Sequence, residues 1–324
     1  MIIMNKNKII VILGQTSTGK SDLAVEIAKQ VNGEILSADS RQVYKGLDLG
    51  TGKITKREMK GIPHYLLDLV SPKSVYTVNQ FQKQAFKKIS EISKKGKVPI
   101  ICGGTGFYLD SILNETIFPN VPPNKKLREQ LEKETTENLL SSLTKLDPIR
   151  AQNIDAKNRV RLIRAIEIAQ ALGQVPSLKT NQNQPDTLSA PAESVSGAEP
   201  SRFQVLKIGL TLPPEVLRAR IKTRLLARIK KGMIGEIENL HKNGLSWKRM
   251  ENLGLEYRYV AKYLQGQLNK KEMLEKLEIE IWHFAKRQKT WFKRDKNTIW
   301  IDPTKNSEKI RMIKEIKKFL LKKD

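Results

Sequence analysis

Short runs rich in Ile, Val and Leu recur along the chain, separated by longer stretches with helical spacing. Ile9-Ile10-Val11-Ile12-Leu13 is apolar at every position, the pattern of a parallel strand buried on both faces. Further strands are expected at 34–37 (Glu34-Ile35-Leu36-Ser37), 98–102 (Val98-Pro99-Ile100-Ile101-Cys102), 204–210 and 298–301. The stretch Asp22-Leu23-Ala24-Val25-Glu26-Ile27-Ala28 has the spacing of a helix. This alternation predicts an α/β core with a mainly parallel sheet, whose ligands bind beyond the carboxyl ends of the strands. At Pro119, Pro122 and Pro123 the pattern changes. From there to about Gly173, apolar positions such as Leu127, Leu131, Leu139, Leu140, Leu143 and Leu146 keep helical spacing and strand runs stop. An all-helical insertion is therefore expected. Residues 174–201 are rich in Gln, Asn, Ser, Pro and Ala and read as a flexible linker. The sheet then resumes, and a long helical part follows 214. The expected organisation is a core of 1–118 with 202–324, and an insertion of 119–201.

The turns that follow the strands carry the chemistry. Gly14-Gln15-Thr16-Ser17-Thr18-Gly19-Lys20-Ser21 fits G-x-x-x-x-G-K-[ST] at every fixed position. It lies between a strand and a helix, where backbone N–H groups and a helix N-terminus can converge on phosphate oxygens. Lys20 would add a cation and Ser21 a hydroxyl for Mg²⁺. The pattern identifies a phosphate ester without naming it. Asp39 follows the second strand. It could hold Mg²⁺ through water or accept a substrate proton, or it could be a turn residue. Gly103-Gly104-Thr105-Gly106 follows the third. It could let backbone approach a ligand, or be a plain turn. If the sheet is parallel, these three turns converge on one cleft.

The charge adds a partner to this picture. Fifty-nine Lys and Arg against 34 Asp and Glu give +25, and much of the excess lies after residue 201. A polyanion would use it, although a lysine-rich solvated surface gives the same count. Arg220, Arg224 and Arg228 share one helical face, which either neutralises a leaving phosphate or faces solvent. Arg159, Arg161 and Arg164 in the insertion could grip a nucleic-acid backbone or form surface salt bridges. In Ala285-Lys286-Arg287-Gln288-Lys289-Thr290-Trp291-Phe292-Lys293-Arg294, bases and aromatics alternate. They could hold single-stranded nucleic acid, or the aromatics could dock the helix on the core. A single cysteine, Cys102, rules out an intrachain disulfide, and three histidines argue against zinc. No run of 18 apolar residues and no secretory signal is present, so a cytoplasmic setting without membrane is expected.

Taken in order, these segments resemble the bacterial tRNA dimethylallyltransferases, the isopentenyl-tRNA transferases, from about residue 8 to about 302. The most specific blocks are Ser37-Ala38-Asp39-Ser40-Arg41-Gln42-Val43-Tyr44, Gly50-Thr51-Gly52-Lys53, Gly61-Ile62-Pro63-His64-Tyr65-Leu66-Leu67-Asp68, Gly103-Gly104-Thr105-Gly106-Phe107-Tyr108 and Ala285 to Phe292. The resemblance implies a P-loop NTPase-like core and transfer of a dimethylallyl group from dimethylallyl diphosphate to N6 of the adenosine 3′ of the anticodon. It implies that Gly14 to Ser21, and Thr16 to Ser21 above all, bind the donor's diphosphate, with Mg²⁺ near Ser21. It gives Asp39 the proton of the N6 amine, and makes Lys20, Thr105, Arg220 and Arg224 the other catalytic candidates. Asp39, Ser40, Arg41, Gln42, Thr105, Arg128, Val160, Arg161, Leu162, Ile163, Arg164 and Arg287 would meet tRNA. A monomer is expected.

The chain departs from the family's common pattern in several places. Gln15 stands for a proline and Ser17-Thr18 for Ala-Ser in the phosphate loop. Tyr65 stands for a histidine, and Arg228 for a frequent methionine. Gly254-Leu255 replaces a Gly-Tyr pair in a tRNA-contacting region, with Tyr257 two residues on. The alternatives from other classes are a P-loop kinase for a small molecule or nucleoside, and an RNA-binding ATPase without transfer chemistry.

Overall fold

A computed structural model describes residues 7–176 and 203–322. The elements run β1 (Asn7–Gly14), α1 (Lys20–Val31), β2 (Gly33–Ala38), α2 (Lys56–Met59), β3 (His64–Tyr65), α3 (Val78–Lys94), β4 (Val98–Gly103) and α4 (Gly106–Leu113). Four helices follow: α5 (Lys125–Leu131), α6 (Thr136–Leu146), α7 (Pro148–Asn153) and α8 (Arg159–Leu172). The chain then resumes with β5 (Phe203–Leu210), α9 (Pro214–Lys230), α10 (Met233–Lys242), α11 (Trp247–Glu251), α12 (Leu255–Leu264), α13 (Lys270–Phe292), β6 (Ile299–Ile301) and α14 (Asn306–Leu321). Two compact units result, one of 1–113 with 202–324 and one of 114–201. The boundary read from the prolines lay five residues later, at 118. Most of the expected linker lies outside the described residues.

The larger unit holds a six-stranded sheet in the order β3-β2-β4-β1-β5-β6, with every pairing parallel. The continuous apolar run of β1 is explained by its central place, because alternate residues enter two cores. Ile9, Val11 and Leu13 face one core with Leu36 and Ile101. Ile10 and Ile12 face the other with Ile35, Ile100 and Cys102. Helices α1 and α14 cover that second face through residues such as Leu23, Ile27, Met312 and Ile316. The first face is covered by α3, by α4 and by the apolar stripe of α13. The five expected strands are all present to within two residues. The two-residue edge strand β3 was not foreseen; His64 and Tyr65 are too few to produce a period.

The smaller unit is helical as expected, and packs Leu139 and Leu143 of α6 against Leu162, Ile163 and Ile166 of α8. Asn158 caps α8 by accepting from the Arg161 amide, and Gly173 ends it at φ 81°. Among the described residues no helix is long and apolar enough to cross a membrane.

Candidate active site

Because β2, β4 and β1 are consecutive in the sheet, the turns after them lie side by side at its carboxyl edge. One cleft there is lined by Thr16, Lys20, Ser21, Asp39, Gln42, Gly103, Gly104 and Arg224, together with Thr51, Ile54, His64 and Gln288. The convergence expected from topology is thus present.

The phosphate loop leaves β1 at Gly14, where a Cβ would lie 2.5 Å from the Leu210 carbonyl oxygen. It passes through left-handed Ser17 (φ 63°) and Gly19 (φ 92°). Gly19 caps α1 without a side-chain hydrogen bond, so that cap leaves the amides of the first helical turn to a ligand. Inside the loop one carbonyl gathers two donors: Gln15 O accepts from Thr18 Oγ1 at 2.8 Å and from Lys20 Nζ at 2.6 Å. The Thr18 hydroxyl is fully buried by this bond. Burial lowers the Lys20 pKa to about 8; Cys102 and Asp39 raise it, and Arg224 pushes it down further. An anion in the cleft would raise it again.

Asp39 begins the turn after β2. Its Oδ1 accepts from the Arg41 amide at 2.8 Å, so the turn reading was correct as far as it went. The residue also lines the cleft, as Lys20 does. Thr105 secures this turn from the neighbouring strand. Its Oγ1 accepts from the Ser40 amide at 3.0 Å and donates to Ser40 Oγ at 3.3 Å. Its own amide donates to Ala38 O at 3.2 Å. Gln42 is held through Oε1, which accepts from Ser37 Oγ at 3.2 Å.

The glycine-rich turn, whose Gly103 and Gly104 line the cleft, also has a packing role. A Cβ on Gly103 would lie 2.2 Å from Ala38 O, one on Gly104 2.4 Å from Gln288 Nε2, and one on Gly106 2.2 Å from the Trp291 indole. Glycine is needed at these positions so that β2 and α13 can approach the turn.

The arginine face of α9 divides. Arg224 lines the cleft and donates to Gly52 O at 3.1 Å. Arg220 is not among the residues lining it and lies toward Asp302, whose carboxyl it helps to hold low. Of the two arginines expected at the leaving phosphate, Arg224 is the one that lines the cleft. Arg228 donates to Gly50 O at 2.8 Å and pairs with Glu256 at 2.9 Å. Glu236 accepts from the amides of Leu49 (2.6 Å) and Gly50 (3.0 Å) and from Tyr257 Oη (3.0 Å). Two departures from the family pattern, at 228 and 255–257, are therefore joined: they brace the 48–53 loop, whose Thr51 lines the cleft. Tyr257 is almost fully buried, so its side chain offers no surface to tRNA.

Burial and pairing distinguish the residues expected to meet tRNA. Leu162 and Ile163 sit in the core of the helical unit. Arg128 and Arg164 both pair with buried Glu167, Arg128 also donating through Nε at 2.9 Å. The salt-bridge reading therefore holds for Arg164, and Arg128, expected only from the resemblance, pairs in the same way, whereas Val160 and Arg161 are exposed. Arg287 is exposed on α13, while Phe292 is buried and Trp291 Nε1 donates to Asp110 Oδ2 at 3.0 Å. The aromatics of that segment dock the helix. Sequence reasoning missed Gln288 and Glu236. Gln288 could have been found as the polar member of the α13 stripe Met273, Leu277, Ile281, Ala285, Gln288, Phe292.

Comparison with known proteins identifies a family. The family model described as IPP transferase matches residues 42–295. A tRNA dimethylallyltransferase 2 from Treponema denticola is 44% identical over 302 residues, covering 92% of this chain and 96% of the relative. A tRNA dimethylallyltransferase 1 from Syntrophus aciditrophicus is 42% identical, covering 92% and 94%. Among solved structures, the full-length tRNA isopentenylpyrophosphate transferase of Bacillus halodurans superposes with a TM-score of 0.69 at 32% identity, covering 97% of each chain. A eukaryotic dimethylallyltransferase acting on tRNA gives 0.69 at 26% identity, covering 88% of this chain and 70% of the other. With that fold, that cleft and these relatives, the chain belongs to the IPP transferase family.

Proposed function

We propose that the protein transfers a dimethylallyl group from dimethylallyl diphosphate to N6 of the adenosine 3′ of the anticodon in tRNA. The observation that carries this reading is the placement of Lys20, Asp39 and Arg224 on one cleft at the ends of β1 and β2. A cationic, amide-lined end suits a diphosphate, and a carboxylate opposite suits an amine. The adenine must leave its stack to enter, at a cost of unstacking. The N6 lone pair attacks the allylic carbon, the bond from that carbon to the diphosphate oxygen breaks, and Asp39 takes the N6 proton. Diphosphate leaves with the bonding electrons. Lys20 and Arg224 face the charge that grows on it, so they stabilise the transition state more than the ground state.

Mg²⁺ is the proposed cofactor. Among the described residues there is no cluster of three or more His, Cys, Asp or Glu able to hold a metal. Ser21, on the first turn of α1, gives the cleft a hydroxyl. Such a sparse oxygen set fits Mg²⁺, which is commonly held by one or two protein oxygens and by substrate phosphates. Bound there, it would add positive charge beside the leaving group.

The test is mass spectrometry of nucleosides from tRNA lacking the modification, before and after incubation with enzyme, dimethylallyl diphosphate and Mg²⁺. One C5 unit on the adenosine next to the anticodon is expected. Transfer to free adenine nucleotides only, or phosphoryl transfer from ATP instead, would overturn the assignment.

A further inference from the structure

The α13 stripe that packs on the sheet is apolar except at one place. Gln288 is 6% exposed, between Ala285 and Phe292, where a leucine would pack without needing a partner. Burying a carboxamide is unfavourable unless it is hydrogen-bonded on both ends. Here both ends are used. Oε1 accepts from the Thr16 amide at 2.7 Å, and Nε2 donates to Gly104 O at 2.8 Å. One turn earlier, Ala285 O accepts from Gln15 Nε2 at 3.1 Å.

The two ends reach different halves of the cleft. Thr16 belongs to the phosphate loop. Gly104 precedes Thr105, whose hydroxyl holds Ser40, the neighbour of Asp39. A continuous path of hydrogen bonds and short backbone links therefore runs from the donor loop through one carboxamide to the turn that carries the carboxylate. The glycine at 104 is matched to it, since a Cβ there would meet Nε2 at 2.4 Å.

We propose that Gln288 is a positioning residue, a strut that sets the distance between the diphosphate site and Asp39. The inference rests on the prenyl-transfer reading. It requires that removing the strut leave the diphosphate bound, through Lys20 and the remaining loop amides, while amine and allylic carbon lose alignment. Misplacement of reacting atoms by an ångström costs about 100-fold in rate.

The substitutions divide the two ends. Gln288→Ala removes both bonds. Gln288→Glu keeps an acceptor for the Thr16 amide but, ionised, presents an oxygen to the Gly104 carbonyl. Protonated, it regains a donor, and burial together with that facing carbonyl raises its pKa. The experiment measures kcat and donor KM for transfer to tRNA at about pH 8 and about pH 6, with wild type at each pH as reference. Thermal unfolding serves as the check on folding. At the higher pH both variants should lose between about 10- and 100-fold in kcat, with donor KM within about threefold of wild type. At the lower pH Gln288→Glu should recover and Gln288→Ala should not. Gly104→Ala, which pushes on the strut from its other end, should resemble Gln288→Ala, and the double variant should be no worse than either. Wild-type kcat in the single variants, a Gln288→Glu deficit equal at both pH values, or a raised KM with kcat intact would overturn the strut. A wild-type enzyme that modifies no tRNA would instead overturn the functional reading.

Discussion

At the scale of single residues, the cleft separates two duties that both depend on charge. Lys20 and Asp39 both line it, and the proposed reaction brings the diphosphate to one and the amine to the other. Lys20→Ala should abolish turnover and also weaken binding of inorganic diphosphate strongly, because the cation acts on the bound group. Asp39→Ala should abolish turnover with diphosphate affinity changed by less than about threefold, because its partner is the amine. Calorimetric titration of each variant with diphosphate and Mg²⁺, beside single-turnover assays, checks both; an active Asp39→Ala variant would remove the carboxylate from the reaction. These two residues were legible in the sequence, since motif and strand-end position suffice to place them. Gln288 was not. Its meaning depends on Thr16 and Gly104, more than 180 residues away along the chain, and no local pattern links them.

At the scale of elements, periodicity located every strand of more than two residues and the helical insertion, but it could not say which charged residues on a helix were already engaged. Arg164 looks like a nucleic-acid ligand in the sequence because positive charge on a helix is what such a ligand looks like, and the family resemblance adds Arg128. The structure turns both to Glu167 of α8, which also accepts from the Asn124 amide at 2.6 Å. Burial alone would raise the Glu167 carboxyl; bonds from Arg128, the Asn124 amide and Arg164 overcome that and hold it at about 2. Its folded value lies below its unfolded one, so its stabilisation is present above the ordinary carboxylate range, from about pH 4.5 upward. It is lost as pH falls from there toward 2. Glu167→Gln should therefore cost the helical unit about 3 kcal/mol near neutral pH, since it leaves two half-buried guanidinium groups without their carboxylate. Thermal unfolding of both proteins at neutral pH and at about pH 4 gives the comparison. The gap should narrow in acid; a gap that does not move with pH would mean that Glu167 is no more than a packed side chain. By the same reasoning α9 was half legible. Its arginine spacing was visible, but Arg228 is spent on Glu256 and on the 48–53 loop, and only Arg224 reaches the cleft.

At the scale of the whole molecule, the excess of 25 positive charges has no work to do inside either core. It becomes useful against a polyanion, by releasing the counterions condensed on the phosphates. Pairing within the protein now distinguishes arginines that can contribute from those that cannot. Arg161 and Arg287 are exposed; Arg128 is committed to Glu167. Affinity for tRNA should fall linearly on a plot of log K against log salt, with a slope of several units. Arg161→Ala and Arg287→Ala should each weaken binding about evenly across tRNAs and reduce that slope by about one. Arg128→Ala should leave the slope unchanged and lower the unfolding temperature instead, because it breaks a buried pair. Titrations of labelled tRNA at several salt concentrations, with unfolding curves for each variant, separate the two classes. A slope lowered equally by all three would mean that Glu167 releases Arg128 when tRNA binds, and the helical insertion would then bind by exchanging partners across a rearranged surface.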